Sequence, residues 1–174
     1  MEKIKRQYLI FAHSITTIPG EGVFTSEEEI GSTYAVSEAQ AISEAIETAH
    51  YCNSIGVNRL SFCPATIHSG TVIERFWRKG AYQPPWIWSC IEIINTIRRE
   101  VDIPALLDTS GFGSRRGPYN CKKCNKDLKH MIIDCNLTQS IIEYDCECKS
   151  EWLAEVNNSD MNSSTVEIKH IPLY

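Results

Sequence analysis

Four cysteines in the last third of this 174-residue chain constrain its fold more than any other feature. Cys121 and Cys124 are spaced C-x2-C, and Cys146 and Cys148 follow as C-x-C after 21 intervening residues. Two close thiol pairs, each offered by one tight turn, suit the tetrahedral coordination of zinc. Four protein ligands leave no open position, so the Zn2+ they imply is structural, not catalytic. The intervening segment has room for two short strands. Residues 119–150 are therefore expected to form a zinc ribbon, held by its metal because its own core is small. Cys135 and His130 lie between the pairs and stand as alternative ligands. The metal-free reading is two reduced pairs on a hairpin.

The other four cysteines do not point to disulfides. Cys52, Cys63 and Cys90 sit in apolar segments, where a free thiol is a small core residue. Lys3, Lys5 and Arg6 precede the apolar run Tyr8-Leu-Ile-Phe-Ala12, but polar residues interrupt that run and no small-residue cleavage site follows. It reads as a first core strand, and the protein as intracellular and cytoplasmic. No apolar stretch approaches the roughly 20 residues needed to cross a bilayer, so a membrane partner is not expected.

Taken in order, the apolar pattern is that of an α/β domain. After the first strand, residues 13–34 read as a long connection around Pro19-Gly-Glu-Gly22, with one helical turn at Ser26. Ser37 opens a helix in which Ile42, Ala45, Ile46, Ala49, Cys52 and Ile55 recur at three- and four-residue spacing, with Glu38, Glu44 and Glu47 facing outward. Gly56 stands where a C-terminal cap belongs. Val57 to Cys63 is a second strand, and strand–helix–strand is the unit of a parallel sheet. Residues 71–77 fit either a strand or a helical turn. Pro84-Pro85 opens another helix, lined by Ile87, Cys90, Ile91, Ile94, Ile97 and Val101. Ile103 to Leu107 makes a third strand. The expected architecture is a small Rossmann-like parallel sheet with flanking helices over residues 1–118, the zinc ribbon over 119–150, and a polar linker with a terminal edge strand at Thr165–Ile168 over 151–174.

In such a sheet, ligands bind outside the carboxyl ends of the strands, where loop amides and helix N-termini converge. Those ends carry His13 and Ser14, His68 and Ser69, and Asp108, Ser110 and Gly111. Arg115 and Arg116 follow in the third cluster and suit bidentate contact with phosphate or carboxylate. Gly111 and Gly113 would let backbone amides approach an anion. Trp77, Trp86 and Trp88 are candidates for stacking on a base, although core packing is the simpler role for at least two of them. The charge distribution agrees with an anionic ligand: residues 56–130 carry a net +6, against −5 before them and −6 after them.

Residues 7–118 resemble the nucleoside 2-deoxyribosyltransferase-like group of small Rossmann-type proteins. The resemblance is carried by Tyr8-Leu-Ile-Phe-Ala12, by the Ala-rich helix ending at Gly56, by the strand running into Cys63-Pro-Ala65, and by Ser114-Arg-Arg-Gly117. It implies a pocket for a nucleotide- or nucleoside-derived small molecule. Members that cleave glycosidic bonds use a carboxylate shortly after that last loop. Pro118-Tyr-Asn-Cys-Lys-Lys stands there instead, so binding is the expectation and a glycosidic-bond enzyme the alternative. A second alternative is a zinc-ribbon adaptor for nucleic acid, contacting phosphates through Lys122, Lys123, Lys126 and Lys129. The sequence leaves the oligomeric state open.

Overall fold

The computed structural model describes residues 6–18, 22–35 and 38–160. Among them are four strands and five helices: β1 Arg6–Ile18, β2 Gly22–Ala35, α1 Glu38–Ser54, β3 Arg59–Cys63, α2 Val72–Arg78, α3 Ile87–Glu100, β4 Ala105–Leu107, α4 Asn125–Thr138 and α5 Cys148–Asp160. No helix among the described residues is long and apolar enough to cross a membrane. The expected strand at 165–168 and the expected cap at Ser37 lie outside the described residues.

The α/β class holds, and the sheet is mixed. Its order is β2-β1-β3-β4. β3 and β4 run parallel, with Leu60, Ser61 and Phe62 beside Ala105, Leu106 and Leu107. β1 runs antiparallel to β3, so the expected parallel crossover from the first strand to the second is not formed. The reason lies in residues 13–34. Residues 13–18 and 22–34 are not a long connection with a helical turn but the second half of β1 and nearly all of β2, paired antiparallel from Arg6↔Ala35 to Ile18↔Gly22, and the rest of the expected turn cluster, 19–21, lies outside the described residues. A shift at Ile10/Phe11 marks a bulge in the ladder. Reversal through this hairpin makes β1 a two-sided antiparallel strand, with β2 on one edge and β3 on the other.

The two long helices with clear periodicity form as their patterns dictate. In α3, Ile87, Cys90, Ile91, Ile94, Ile97 and the following Val101 are all buried. Full burial of each such side chain is worth about 1.5 to 3 kcal/mol. In α1 the buried stripe is Ala41, Ala45, Ala49 and Cys52, while Ile55 at the frayed end is 56% exposed. The small alanines let α1 lie close against α3. Glu38, expected to face outward, is instead buried and accepts a very short hydrogen bond from the Ser89 hydroxyl. The Trp152 indole in turn donates to Ser89 at 2.8 Å, which ties α1, α3 and α5 together. Gly56 adopts φ +81 and closes α1 with paired bonds, Gly56 N–H to the Asn53 carbonyl and Val57 N–H to that of Cys52. That is a Schellman cap, and its left-handed residue is why glycine stands there.

The C-terminal third departs most from expectation. Helix α4 occupies the space between the cysteine pairs where two short strands were expected. Leu128, Ile132 and Cys135 are buried at helical spacing on its inner face. They join the same cluster of buried residues as Leu60, Ile94 and Leu107. Residues 148–160 continue as α5 through the start of the expected linker.

Helix α4 also closes the open edge of β4 with amide side chains. Asn136 accepts from the Leu107 N–H at 3.1 Å and donates to the Leu107 carbonyl at 2.9 Å. The Gln139 side chain accepts from the Ala105 N–H at 2.8 Å. The two side chains serve as a further strand would, and cover an edge that would otherwise invite pairing with another chain. Asn95 treats Ile142 in the same way, with both bonds at 2.9 Å.

Candidate metal centre and the adjoining loops

The four cysteines of the two pairs converge, with all their sulfur atoms within 4.8 Å of one another. Cys121 and Cys124 Sγ are 3.4 Å apart, Cys121 and Cys146 3.7 Å, and Cys124 and Cys148 3.7 Å. A zinc ion about 2.3 Å from each of four tetrahedral sulfurs sets them about 3.8 Å apart. A disulfide needs about 2.05 Å, so these are free thiols spaced for an ion and not for oxidation. His130 is exposed, and the Cys135 thiol points to the Ile141 carbonyl. Neither alternative ligand belongs to the group.

Local structure explains why the sulfurs meet. Cys124 is the N-cap residue of α4 and Cys148 the first residue of α5, so two helix N-termini face the cluster. Their partial positive charge favours thiolates. Cys121 lies in the turn leading into α4, where the Lys123 and Cys124 amides bond its sulfur. The Trp88 indole donates to Cys148 Sγ at 3.4 Å, and the Asn120 amide to Cys124 Sγ at 3.8 Å. Donors of this kind orient ligands and spread the charge of a four-thiolate ion. Asn120 also accepts from the Trp88 N–H at 3.2 Å, locking the turn to the start of α3.

The two sides of the cluster differ. Cys124 and Cys148 are buried, whereas Cys121 and Cys146 are partly open. Burial pushes the Cys124 thiol up to about 11 and raises Cys148 as well. Burial also acts upward on Cys121, but hydrogen bonds from its neighbours outweigh it and bring that thiol down to about 7. Without a cation, Cys121 is readily ionised near neutral pH, whereas the buried Cys124 and Cys148 are not. A bound metal supplies the charge that keeps the inner pair deprotonated, so metal uptake releases protons and weakens in acid. Lys123 stands beside the open side, 2.8 Å from Glu147.

The loops ahead of the cluster carry most of the other sequence-predicted residues, though not all. His13 and Ser14 do not join them. His13 pairs in register with Arg59, at the start of β3, while the clusters at 66–70 and 108–117 follow the far ends of β3 and β4. The antiparallel direction of β1 accounts for the separation. At the other end, the Ile67 N–H donates to the Arg116 carbonyl at 2.7 Å, joining the two remaining loops. His68 and Ser69 are exposed there. Asp108 accepts from the Ser110 amide at 2.9 Å and, through a very short bond, from the Ser110 hydroxyl. Gly111 has φ +79, and an added Cβ would meet Thr66 Oγ1 at 2.8 Å. Its glycine therefore serves loop-on-loop packing. The Gly113 amide donates to the Pro118 carbonyl at 2.8 Å.

Arg115 is exposed, whereas Arg116 is engaged. Its guanidinium reaches Glu74 at 2.7 Å and the Ile67 carbonyl at 3.3 Å, and lies 4.9 Å over the Trp77 ring. Trp77 is thus half-buried under an arginine, Trp88 is buried, and Trp86 is half-buried with its indole bonded to Glu155 at 2.8 Å. Sequence reasoning missed Glu74. Thr71 caps α2 by accepting from the Glu74 N–H, and the buried Glu74 carboxylate gathers Gly70 N–H, Arg116 and Arg78. The Thr71-x-x-Glu74 spacing signalled the helix start, which also settles 71–77 as helical. The partner 42 residues away left no local trace.

The Gly70 amide, then Arg116 and Arg78, hold the Glu74 carboxyl down to about 2 from its ordinary 4.5. Because the folded value is depressed, the stabilisation is complete above 4.5 and is lost as pH falls towards 2. Glu74→Gln is therefore expected to lower Tm near neutral pH, with the gap to wild type narrowing below pH 4.5 and closing only towards pH 2. Thermal melts of both proteins across that range measure it.

Fold and site together define a mixed α/β protein with a four-cysteine cluster, spaced to hold a metal ion, at two helix N-termini. The chain is 32% identical over 163 residues to the archaeosine synthase subunit beta of Methanosarcina acetivorans, a match covering 89% of the chain and 46% of that protein. It is 30% identical over 133 residues to the archaeosine synthase subunit beta of Thermococcus kodakarensis, covering 71% and 39%. An uncharacterized protein of Methanocaldococcus jannaschii is 41% identical over 133 residues, covering 73% and 36%. The chain thus spans less than half the length of each of these curated relatives. No family model matches the chain, and no solved structure matches it.

Proposed function

We propose that the chain is a zinc-stapled module of a tRNA-modifying system of the archaeosine synthase type, working alongside a partner subunit. The carrying observation is the similarity to an archaeosine synthase subunit beta over 89% of the chain. A match of that extent cannot omit the segment that holds the cysteine cluster. The four-thiol geometry supports zinc as the ion, since soft thiolate ligands in a tetrahedral set select it over magnesium or calcium. With four protein ligands the ion has no place for water or substrate, and its contribution is structural. It joins the turn at Cys121 to the start of α5 and so fixes the loop at 108–117 against the end of the sheet.

The test is nucleoside analysis of bulk tRNA from an archaeal host in which the gene for this chain is deleted. The expected result is loss of archaeosine, restored by the wild-type gene and not by a Cys124→Ser, Cys148→Ser allele. Archaeosine at the wild-type level in the deletion strain would overturn the reading.

A further inference from the structure

One edge of the molecule is much more basic than the rest. The segments 64–79 and 108–126 together contain eight lysines and arginines against two carboxylates, Glu74 and Asp108. Several contacts bring these segments together. Ile67 is bonded to Arg116, and Glu74 to Gly70, Arg78 and Arg116. A Cβ at Gly113 would lie 3.4 Å from Asn125 Cβ, which places the 108–117 loop against the first turn of α4. Asn125 in turn accepts from the Asn120 N–H at 2.9 Å.

The cations divide into two groups. Arg78 and Arg116 are held by Glu74, and Lys123 by Glu147. Arg75, Lys79, Arg115, Lys122 and Lys126 are exposed, and none forms an ion pair with a carboxylate among the described residues. The first group braces the loops, and the second projects from a frame fixed by Glu74 on one side and by the cysteine cluster on the other. Five exposed cations on braced, adjoining loops, without a carboxylate partner among the described residues, fit a polyanion better than a single small anion.

We propose that this edge is an RNA-binding surface on which Arg115, Lys122 and Lys126, flanked by Arg75 and Lys79, contact backbone phosphates. The choice of RNA over other polyanions rests on the tRNA-modification reading. Placement of the surface rests on the geometry alone. Phosphate contacts set affinity and orientation, and they make binding depend on salt.

The experiment is fluorescence anisotropy of a fluorescein-labelled, unmodified tRNA transcript titrated with the zinc-loaded full chain, between about 50 and 200 mM salt. Wild type is expected to bind with an affinity that falls steeply with salt. The triple variant Arg115→Glu, Lys122→Glu, Lys126→Glu should bind at least about tenfold more weakly, with a log–log salt slope smaller by about two. The same three positions changed to Gln should move affinity in the same direction by less. Arg99→Glu, at the far end of α3, should leave affinity within about twofold of wild type. Zinc content and thermal melting identify variants that remain folded. Unchanged affinity in folded Glu and Gln triples would overturn the surface, as would wild type that shows no salt-dependent binding. The tRNA-modification reading is judged separately, by archaeosine in the deletion strain.

Discussion

Replacing Cys124 by serine is expected to release the metal and unfold the C-terminal third of the described chain. Cys124 is fully buried, ends the turn that begins at Cys121, and caps α4. Structural zinc is worth about 10 to 16 kcal/mol in small zinc domains, as much as the whole stability of an ordinary domain. Water cannot reach the buried position to replace the sulfur. Moreover, α4 and α5 contribute Leu128, Ile132 and Trp152 to the shared core, so their release exposes Ile94 and Leu107 as well. Cys148→Ser should behave in the same way. Cys146→Ser should retain a weakened site, because Cys146 is only partly buried and water can complete the coordination from that side. Metal content per chain and thermal melts of the three variants measure this order. Equal metal retention by Cys124→Ser and wild type would contradict it.

The second large effect is expected far from the cysteines, at Asn136. Asn136→Leu keeps the branching of the side chain at Cγ but strips partners from the Leu107 N–H and carbonyl and removes one contact of an Arg98 nitrogen. Each buried polar group left without a partner costs about 1 to 3 kcal/mol. Arg98 keeps its bonds to the Ser140 and Ala105 carbonyls, so most of the loss falls on Leu107. A total of about 2 to 4 kcal/mol is expected, with Tm lower by about 10 °C. Denaturant melts would show it. A variant as stable as wild type would mean that the edge of β4 does not depend on this amide.

These two sites show what the sequence conveyed and what it withheld. The cysteine pairs were legible because the spacing within each pair is local and chemically specific. Helix α3 was legible because its six apolar positions repeat with one period. The fold of the segment between the cysteine pairs was misread, although Leu128, Ile132 and Cys135 carry a helical period. The strands of a ribbon were inferred from the pattern of thiols and not from those residues. The β1–β2 hairpin was missed because Glu27, Glu28 and Glu29 interrupt any alternation of apolar and polar positions in β2. Without that hairpin, β1 was assigned a parallel neighbour, and His13 and Ser14 were drawn to the wrong end of the sheet. The bonds of Asn136 to Leu107 and of Glu74 to Arg116 span 29 and 42 residues, and no local pattern announces either.

One ion bound by four sulfurs is what would hold the turn at Cys121 to the start of α5. X-ray absorption at the zinc edge of the natively purified chain tests it directly. One zinc per chain with four sulfur neighbours at about 2.3 Å is the expected result. A spectrum with nitrogen or oxygen in the first shell, or a folded chain that purifies without metal, would contradict it.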